Sequence, residues 1–268
     1  MQQVIFITGA SKGIGREIAL HLHQQGYIVY GTSRKPMQPA DTPFKLVQLD
    51  VTDEHSVQQC VEGILNDAGH IDILINNAGY DLYGAVEETT LDELHQQMDT
   101  NFYGAVRVIQ AVLPQMRHRG KGKIINMSSI GGLMSLPFNS AYAASKYALE
   151  GYSETLRYEV MPFGVYVSLV EPGSVNTDTL DTSIIEVAEG HSSYETQRQY
   201  MTQQMREFGV TNGISIQQVV STVDHIVKTS KPRLRYPVGL HARTLPLMKA
   251  FLPQWSFERF IRGQFMPQ

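Results

Sequence analysis

The chain has a single cysteine, Cys60, among its 268 residues, which leaves no internal disulfide and no cysteine-based metal cluster. Cys60 falls in a predicted helix, where a buried, inert thiol is expected. The histidines do not gather at ligand spacing: His21 and His23 stand two apart on a predicted helix and face different ways. No metal site is therefore expected. Charge of neither sign dominates, and a net charge of −4 gives no basic footprint for nucleic acid. No run approaches the roughly 18 apolar residues that span a bilayer, so no transmembrane segment is expected. The first apolar strand begins within a few residues of Met1, which does not fit a signal peptide. Repeats, linkers and low-complexity tracts are also missing. These absences lead us to expect a soluble, cytoplasmic protein of a reducing compartment that acts on a small molecule. A hydrophobic content of 42% is enough for a full core, and one domain over residues 1–268 is expected.

What is present alternates strand with helix. Val4 to Thr8 is a short apolar run, as in a strand buried on both faces of a parallel sheet. Gly9-Ala-Ser-Lys-Gly13-Ile-Gly15 follows, and helical periodicity begins at Arg16. Strand, glycine turn and helix are the context of a phosphate cradle, in which free amides and a positive dipole end meet a pyrophosphate. The spacing, Gly-x3-Gly-x-Gly, departs from the commoner G-x-G-x-x-G.

After the second strand, Tyr27 to Thr32, a dinucleotide site for NAD would have an acid to hold the ribose hydroxyls. This chain has Thr32-Ser33-Arg34-Lys35 instead. With Lys12 in the glycine turn, Ser33 and Arg34 suit a 2′-phosphate, so NADP(H) is the expected cofactor.

Phe44 to Leu49 is a third predicted strand. The Asp50-Val51 that ends it offers a carboxylate either to an adenine amino group or to a cap for the helix over Ser56 to Ala68. Ile71 to Ile75 is the fourth strand, ending in Asn76-Asn77-Ala78-Gly79, where the C-terminal edge of an open sheet meets its ligand. A long helix is predicted from Leu91 to Leu113, with Asn101, a poor mid-helix residue, at its centre.

Lys123 to Met127 is the fifth strand, delivering Ser128 and Ser129. The helix Ser140 to Glu159 carries Tyr142 and Lys146 at i and i+4, on one face. A phenol has a reference pKa of about 10, and a nearby lysine cation is expected to lower it into the range of a general acid/base. Val165 to Val170 is the sixth strand, followed by Glu171-Pro172-Gly173-Ser-Val175-Asn-Thr177. The alternation then stops. Residues 178–213 are polar and Gln-rich and read as a substrate lid. A helix over Ile216 to Lys228 and an edge strand at Arg235 to Val238 follow. A helical extension from about 240, rich in Phe, Leu and Met, covers the pocket, joins a dimer or rests on a membrane; packing is expected.

Five pieces in this order resemble the short-chain dehydrogenase/reductase family. They are Thr8-Gly-x3-Gly-x-Gly15, Asn76 to Gly79, Asn101, the set Ser129, Tyr142 and Lys146, and Pro172-Gly with Thr177. The resemblance implies an α/β, Rossmann-type doubly wound fold: a seven-stranded parallel sheet with helices on both faces. It implies hydride transfer with a nicotinamide cofactor, Tyr142 as acid/base, Lys146 on the nicotinamide ribose, and Ser129 (Ser128 as substitute) orienting the substrate oxygen. Asn101 would hold a relay water. Gly9, Ser11, Lys12, Gly13, Ile14 and Gly15 would line the pyrophosphate turn, and Asp50 and Val51 the adenine. Asn77, Ala78 and Gly79 would lie along the cofactor, and Pro172, Gly173, Val175 and Thr177 near its nicotinamide. A homodimer or homotetramer is also implied.

The run from Ser129 to Tyr142 and Ala148-Leu-Glu-Gly151 are similar to the 17β-hydroxysteroid dehydrogenase branch, which acts on steroids and other bulky lipophilic carbonyls. Leu133, Leu136 and Phe138 would then be pocket wall. The alternatives are a reductase of small or acyl-chain ketones, an NAD enzyme working oxidatively, and a catalytically silent NADP(H) sensor.

Overall fold

The computed structural model describes residues 2–35, 42–176, 184–187 and 192–266. In chain order the elements begin with β1 (Val4–Ile7), α1 (Gly13–Gln24), β2 (Ile28–Ser33), β3 (Lys45–Gln48), α2 (Glu54–Ala68), β4 (Ile73–Asn76), β5 (Asp81–Tyr83) and α3 (Leu91–Met98). Next come α4 (Gly104–Arg119), β6 (Gly122–Met127), α5 (Ser140–Val160), β7 (Val165–Pro172), β8 (Val175–Asn176) and β9 (Ile184–Glu186). A helix Glu195–Asn212, β10 (Ile214–Ser215), a helix Ile216–Lys228, β11 (Arg235–Val238) and helices Leu240–Phe251 and Gln254–Phe265 complete the order.

Seven strands form one sheet in the order β11-β7-β6-β4-β1-β2-β3, every pair parallel. The strand order reverses between β1 and β4, which creates the crevice where ligands of open α/β sheets bind. Alternation along the strands builds a core on each face. Ile5, Ile7, Ile73, Ile75 and Ile125 pack with α1 and the Ile216–Lys228 helix. Val4, Phe6, Leu74 and Ile124 pack with α2, α4 and α5 on the other face. The edge strand expected at Arg235 to Val238 is β11, and Pro237 is tolerated there because one side of an edge strand needs no donor.

Among the boundaries that differ from the sequence expectation, two have a clear local cause. Helix α2 starts at Glu54 rather than Ser56, because Asp53 caps it by accepting from the N–H groups of His55 and Ser56. The long helix does not run unbroken to Leu113. It opens into a π turn at Asp99–Tyr103 and continues to Arg119, carrying Pro114 inside it. Burial of Val112 and Met116 sustains the helix past the proline, and Gly120, with φ 66°, stops it.

Asp72 ties three of these elements together. It is 7% exposed and accepts from Val4 N–H at 2.9 Å and Arg119 Nη2 at 2.9 Å, with His70 Nε2 at 3.1 Å. Burial works against its charged form. The Val4 and Arg119 hydrogen bonds and the charges of His70 and Arg119 outweigh it and hold the carboxyl below the usual range. Replacing Asp72 by asparagine should cost about 2–3 kcal/mol of stability. A carboxyl depressed on folding contributes above its unfolded pKa and is lost as pH falls through the folded value. The variant and the wild type should therefore converge in urea melts below about pH 4. A gap that persists at low pH would contradict this account.

Thr177, expected near the nicotinamide, and residues 178–183 and 188–191 of the stretch expected to be a lid lie outside the described set. Of the remainder, β9 pairs with β5, and the Glu195–Asn212 helix is fastened by Arg198 to the buried Glu88 at 3.1 Å. The last helix packs onto this helix through Ile261 and Phe265, and the Leu240–Phe251 helix sets His241 against Phe208. They leave Leu247, Phe251 and Trp255 exposed. Among the described residues no helix is long and apolar enough to cross a membrane.

Candidate active site

The register sets the site. Ile7 pairs with Ile75, Ile75 with Ile125 and Ile125 with Ser168, so the C-terminal ends of β1, β4, β6 and β7 lie level. At that edge the glycine turn closes on the end of β4. Thr8 Oγ1 accepts from the N–H groups of Asn77 at 2.9 Å and Ala78 at 3.0 Å. Asn77 Nδ2 donates back to the carbonyls of Thr8 at 3.1 Å and Gly9 at 2.9 Å. Gly9 has φ 69°, and a Cβ on Gly15 would lie 2.3 Å from both Gly9 O and Asn77 Nδ2. Only a glycine turn fits this space, and it brings backbone to the crevice.

Helix α1 starts here with Lys12 at the N-cap and no side-chain cap, unlike α2 and α3. Its first-turn amides are thus left for an anion. A dinucleotide fits this cradle. Ser11, Gly13 and Ile14 lie in the same turn and are partly buried.

Arg34 is exposed just beyond β2, and its charge is felt by Asp50 and by Tyr80. Ser33 Oγ accepts from Lys35 N–H at 3.4 Å. The open question about Asp50 is answered in part: Asp53 is the helix cap, while Asp50 Oδ1 accepts from Thr52 N–H and Thr52 Oγ1 at 2.9 and 2.7 Å. Val51 beside it is buried. Pro172 and Gly173 end β7 at the same edge, with Val175 in β8, and Gly173 N–H donates to Val238 O at 3.1 Å.

Asn101 sits in the π turn, 2% exposed. Its Oδ1 accepts from Tyr80 N–H at 3.0 Å, and its Nδ2 donates to Tyr80 O at 2.8 Å and lies 3.3 Å from Ser145 Oγ. The side chain therefore locks the loop between Gly79 and β5. A Cβ on Gly79 would approach Asn101 Oδ1 to 3.0 Å.

The acid/base residues meet above this loop. Ser129 Oγ accepts from Gly131 N–H at 3.0 Å and favours the charged form of the Tyr142 phenol, whereas Ser128 Oγ is buried without a hydrogen-bond partner. Gly131 lets the ring in, since a Cβ there would come 3.0 Å from Tyr142 Cε1. Lys146 Nζ donates to Met127 O at 2.8 Å and lies 5.5 Å from the Tyr142 ring centroid.

The expected lowering of the phenol by Lys146 is not what the geometry gives. Burial first, then the negative charge of Asp81, push the Tyr142 phenol up, and only Ser129 opposes them. Lys146 is itself pushed down by burial to about 8, against the pull of Asp81 and Glu150. In this form Tyr142 is a protonated acid, and Lys146 loses its charge at about 8.

Asp81, which the sequence reading missed, has a carboxylate whose charge acts on both members of this pair. Asn139 Nδ2 donates to its Oδ1 at 2.6 Å, and burial raises the carboxyl to about 7 despite that bond and the Lys146 charge. An acid two residues after Asn76-Asn-Ala-Gly79 was the available signal.

Beside Tyr142 an apolar cluster forms from Tyr83, Met134, Met201, Ile261 and Phe265, with Leu136, Phe138 and Leu245 packed on it. Leu133 is not in it. The 3₁₀ turn at Ile130–Gly132 shifts the phase so that Met134 faces inward, while the Leu133 carbonyl accepts from Lys249 Nζ at 2.9 Å. Phe138 has φ 59°, a strained value for a bulky side chain. Gly84 N–H holds it by donating to its carbonyl at 2.9 Å.

A doubly wound sheet with a phosphate cradle and a Ser-Tyr-Lys acid/base set at one edge defines a nucleotide-dependent oxidoreductase. The model of the short chain dehydrogenase family matches residues 3–186. A 3-ketodihydrosphingosine reductase of Bacteroides thetaiotaomicron is 43% identical over 97% of each chain. Human 17-beta-hydroxysteroid dehydrogenase type 1 is 33% identical over 96% of this chain and 83% of its own.

Among solved structures, a short-chain dehydrogenase from Streptomyces avermitilis superposes with TM-score 0.84 at 34% identity, covering 98% of each chain. ElxO with NADP bound superposes with TM-score 0.70 at 26% identity, over 84% of this chain and 91% of its own. The chain belongs to the short-chain dehydrogenase/reductase family of oxidoreductases acting on CH–OH groups.

Proposed function

We propose that the chain is an NADP(H)-dependent reductase of bulky lipophilic ketones, with long acyl-chain ketones foremost among them. The observation that carries the substrate class is the apolar cluster beside the Tyr142 phenol, built from β5, the 130–138 loop, the Glu195–Asn212 helix and both C-terminal helices. Such a wall suits a long or polycyclic hydrocarbon and has no feature that would select a small polar ketone. The relative named as a 3-ketodihydrosphingosine reductase favours the acyl-chain alternative over the steroid-like substrate expected from the sequence.

The cofactor supplies the hydride when bound. In reduction, Ser129 Oγ would hydrogen-bond the carbonyl oxygen, and Tyr142, kept protonated by its surroundings, would give that oxygen its proton. Lys146 would fix the phenol and a ribose hydroxyl. The retained Ser129, Tyr142 and Lys146 speak against a silent sensor. A homodimer or homotetramer through α4 and α5 belongs to the same proposal, supported by the exposed Tyr103 and Tyr158 near and on these helices.

The first experiment is loss of NADPH, and separately NADH, absorbance across long-chain and polycyclic ketones. Arg34→Ala should weaken NADPH binding about thirtyfold and NADH binding less than about threefold, the scale of one charge-assisted phosphate contact. Equal losses for the two cofactors would remove the 2′-phosphate role from Arg34.

A further inference from the structure

We propose that the outer face of the two C-terminal helices docks on an anionic lipid bilayer, with the turn between them set among the headgroups. Docking goes beyond the carbonyl chemistry above and does not depend on it.

Each helix has two unlike sides. Inward, Leu245 of the Leu240–Phe251 helix and Phe257, Ile261 and Phe265 of the Gln254–Phe265 helix pack in the cluster with Met134 and Met201. Outward, Leu240, Leu247 and Phe251 recur at i, i+7 and i+11, which sets them on one stripe. They are 70%, 57% and 84% exposed. On the second helix Trp255, Arg259 and Arg262, at i, i+4 and i+7, form an exposed stripe on the side away from Ile261. The turn joins the two stripes, since every residue from Phe251 to Trp255 is exposed. Single exposed apolar side chains are ordinary, whereas a contiguous patch marks an interaction surface. Among the described residues, six of the fourteen exposed large hydrophobics lie between Leu240 and Phe260, so this is a patch.

Charge selects what covers it. From Leu240 onward the chain has four cations, Arg243, Lys249, Arg259 and Arg262, against one acid, Glu258, on a protein whose net charge is −4. Lys249 is engaged by Leu133 O and the Tyr147 hydroxyl; the three arginines are exposed. An apolar stripe flanked by arginines, with a tryptophan at its tip, suits a bilayer interface: the ring lies at headgroup level and the cations meet acidic headgroups. The acidic remainder of the chain is repelled by the same surface, so this face alone turns toward it. A second copy fits less well, because a twofold contact lays the patch on itself and brings like charges together. No described helix is long and apolar enough to cross a bilayer, so the pair would lie on the surface. The apolar cluster on their inner side would then be one helix, about 10 Å thick, from the lipid.

Trp255 is the only tryptophan in the chain, so its emission reports the turn directly. With vesicles of phosphatidylglycerol and phosphatidylcholine in equal parts, the emission should shift to the blue and be quenched by lipids brominated along their acyl chains. Vesicles of phosphatidylcholine alone should bind far more weakly. The double variant Arg259→Gln, Arg262→Gln should weaken binding about thirtyfold, at about fivefold for each cation near an anionic surface. Phe251→Ser should weaken it about tenfold or more, the effect of losing one buried phenylalanine. These side chains are exposed, so thermal stability should match the wild type.

Emission unchanged by the anionic vesicles overturns the proposal, and so does equal binding to both kinds of vesicle. A blue shift that grows with protein concentration alone, together with a dimer in sedimentation velocity, also rejects it, because a second copy then covers the face. Binding that survives both sets of substitutions places the lipid contact elsewhere and rejects this face. None of these readouts uses turnover, so their outcome is separate from that of the ketone-reductase reading.

Discussion

Tyr142→Phe should lower kcat/KM for ketone reduction by about a thousandfold or more while leaving NADPH affinity within about threefold, since proton donation contributes up to about 10⁴ in rate. The substitution removes one oxygen and keeps the ring that packs against Gly131. Folding should be unaffected, and the loss would fall on chemistry. The electrostatics fix the direction of the effect. Burial and the Asp81 charge raise the phenol, and only Ser129 lowers it. At neutral pH Tyr142 then carries its proton, as an acid for reduction must. Alcohol oxidation needs the phenolate, so its rate should climb with pH where reduction does not. Stopped-flow absorbance of NADPH at several pH values would show this. A Tyr142→Phe enzyme that keeps a tenth of wild-type turnover would mean that water or Ser129 delivers the proton.

The parts of this site legible in the sequence were those with local causes. The apolar runs at Val4–Ile7 and Ile73–Asn76, the glycine turn and the Tyr142/Lys146 spacing each follow from neighbours within one turn or strand. Asp81 was not legible, because its meaning depends on contacts distant in sequence: with Asn139, with Lys146, and with β9 through the pairing of β5. The lysine effect was misjudged for a related reason. Spacing places Lys146 on the face of Tyr142, but it cannot report the burial that weighs on both groups. The π turn at Asn101 and the 3₁₀ phase shift that exchanges Leu133 for Met134 are single-residue changes in helical phase that periodicity averages away. In the C-terminal extension, Phe257, Ile261 and Phe265 recur at helical spacing, so the packing face was readable; its partner, Met201, was not.

Lys146→Met should reduce kcat/KM by about 10²–10³ with little loss of thermal stability. The two halves of this expectation have one cause. The Lys146 side chain is 7% exposed, and burial pushes its ammonium down to about 8. A lysine so displaced costs the fold free energy when charged, and a methionine of similar volume avoids that cost. The lost hydrogen bond to Met127 O works the other way, so the melting temperature should stay within a few degrees.

Activity has no such compensation. Without the cation, no Lys146 charge balances Asp81 beside the reacting oxygen, which disfavours the negative charge that develops there. The pH profile identifies the cause. A lysine lowered to about 8 loses its charge as pH rises through that value, so wild-type kcat/KM for reduction should fall on the alkaline side of it. That limb reports the free enzyme and should be missing from Lys146→Met. Lys146→Arg keeps a charge that does not titrate, but its planar fork cannot reproduce the point contact with Met127 O. It should lose activity and the limb together. Should the alkaline limb persist in Lys146→Met, the titrating group is another one, and Asp81 or Tyr142 would have to carry it.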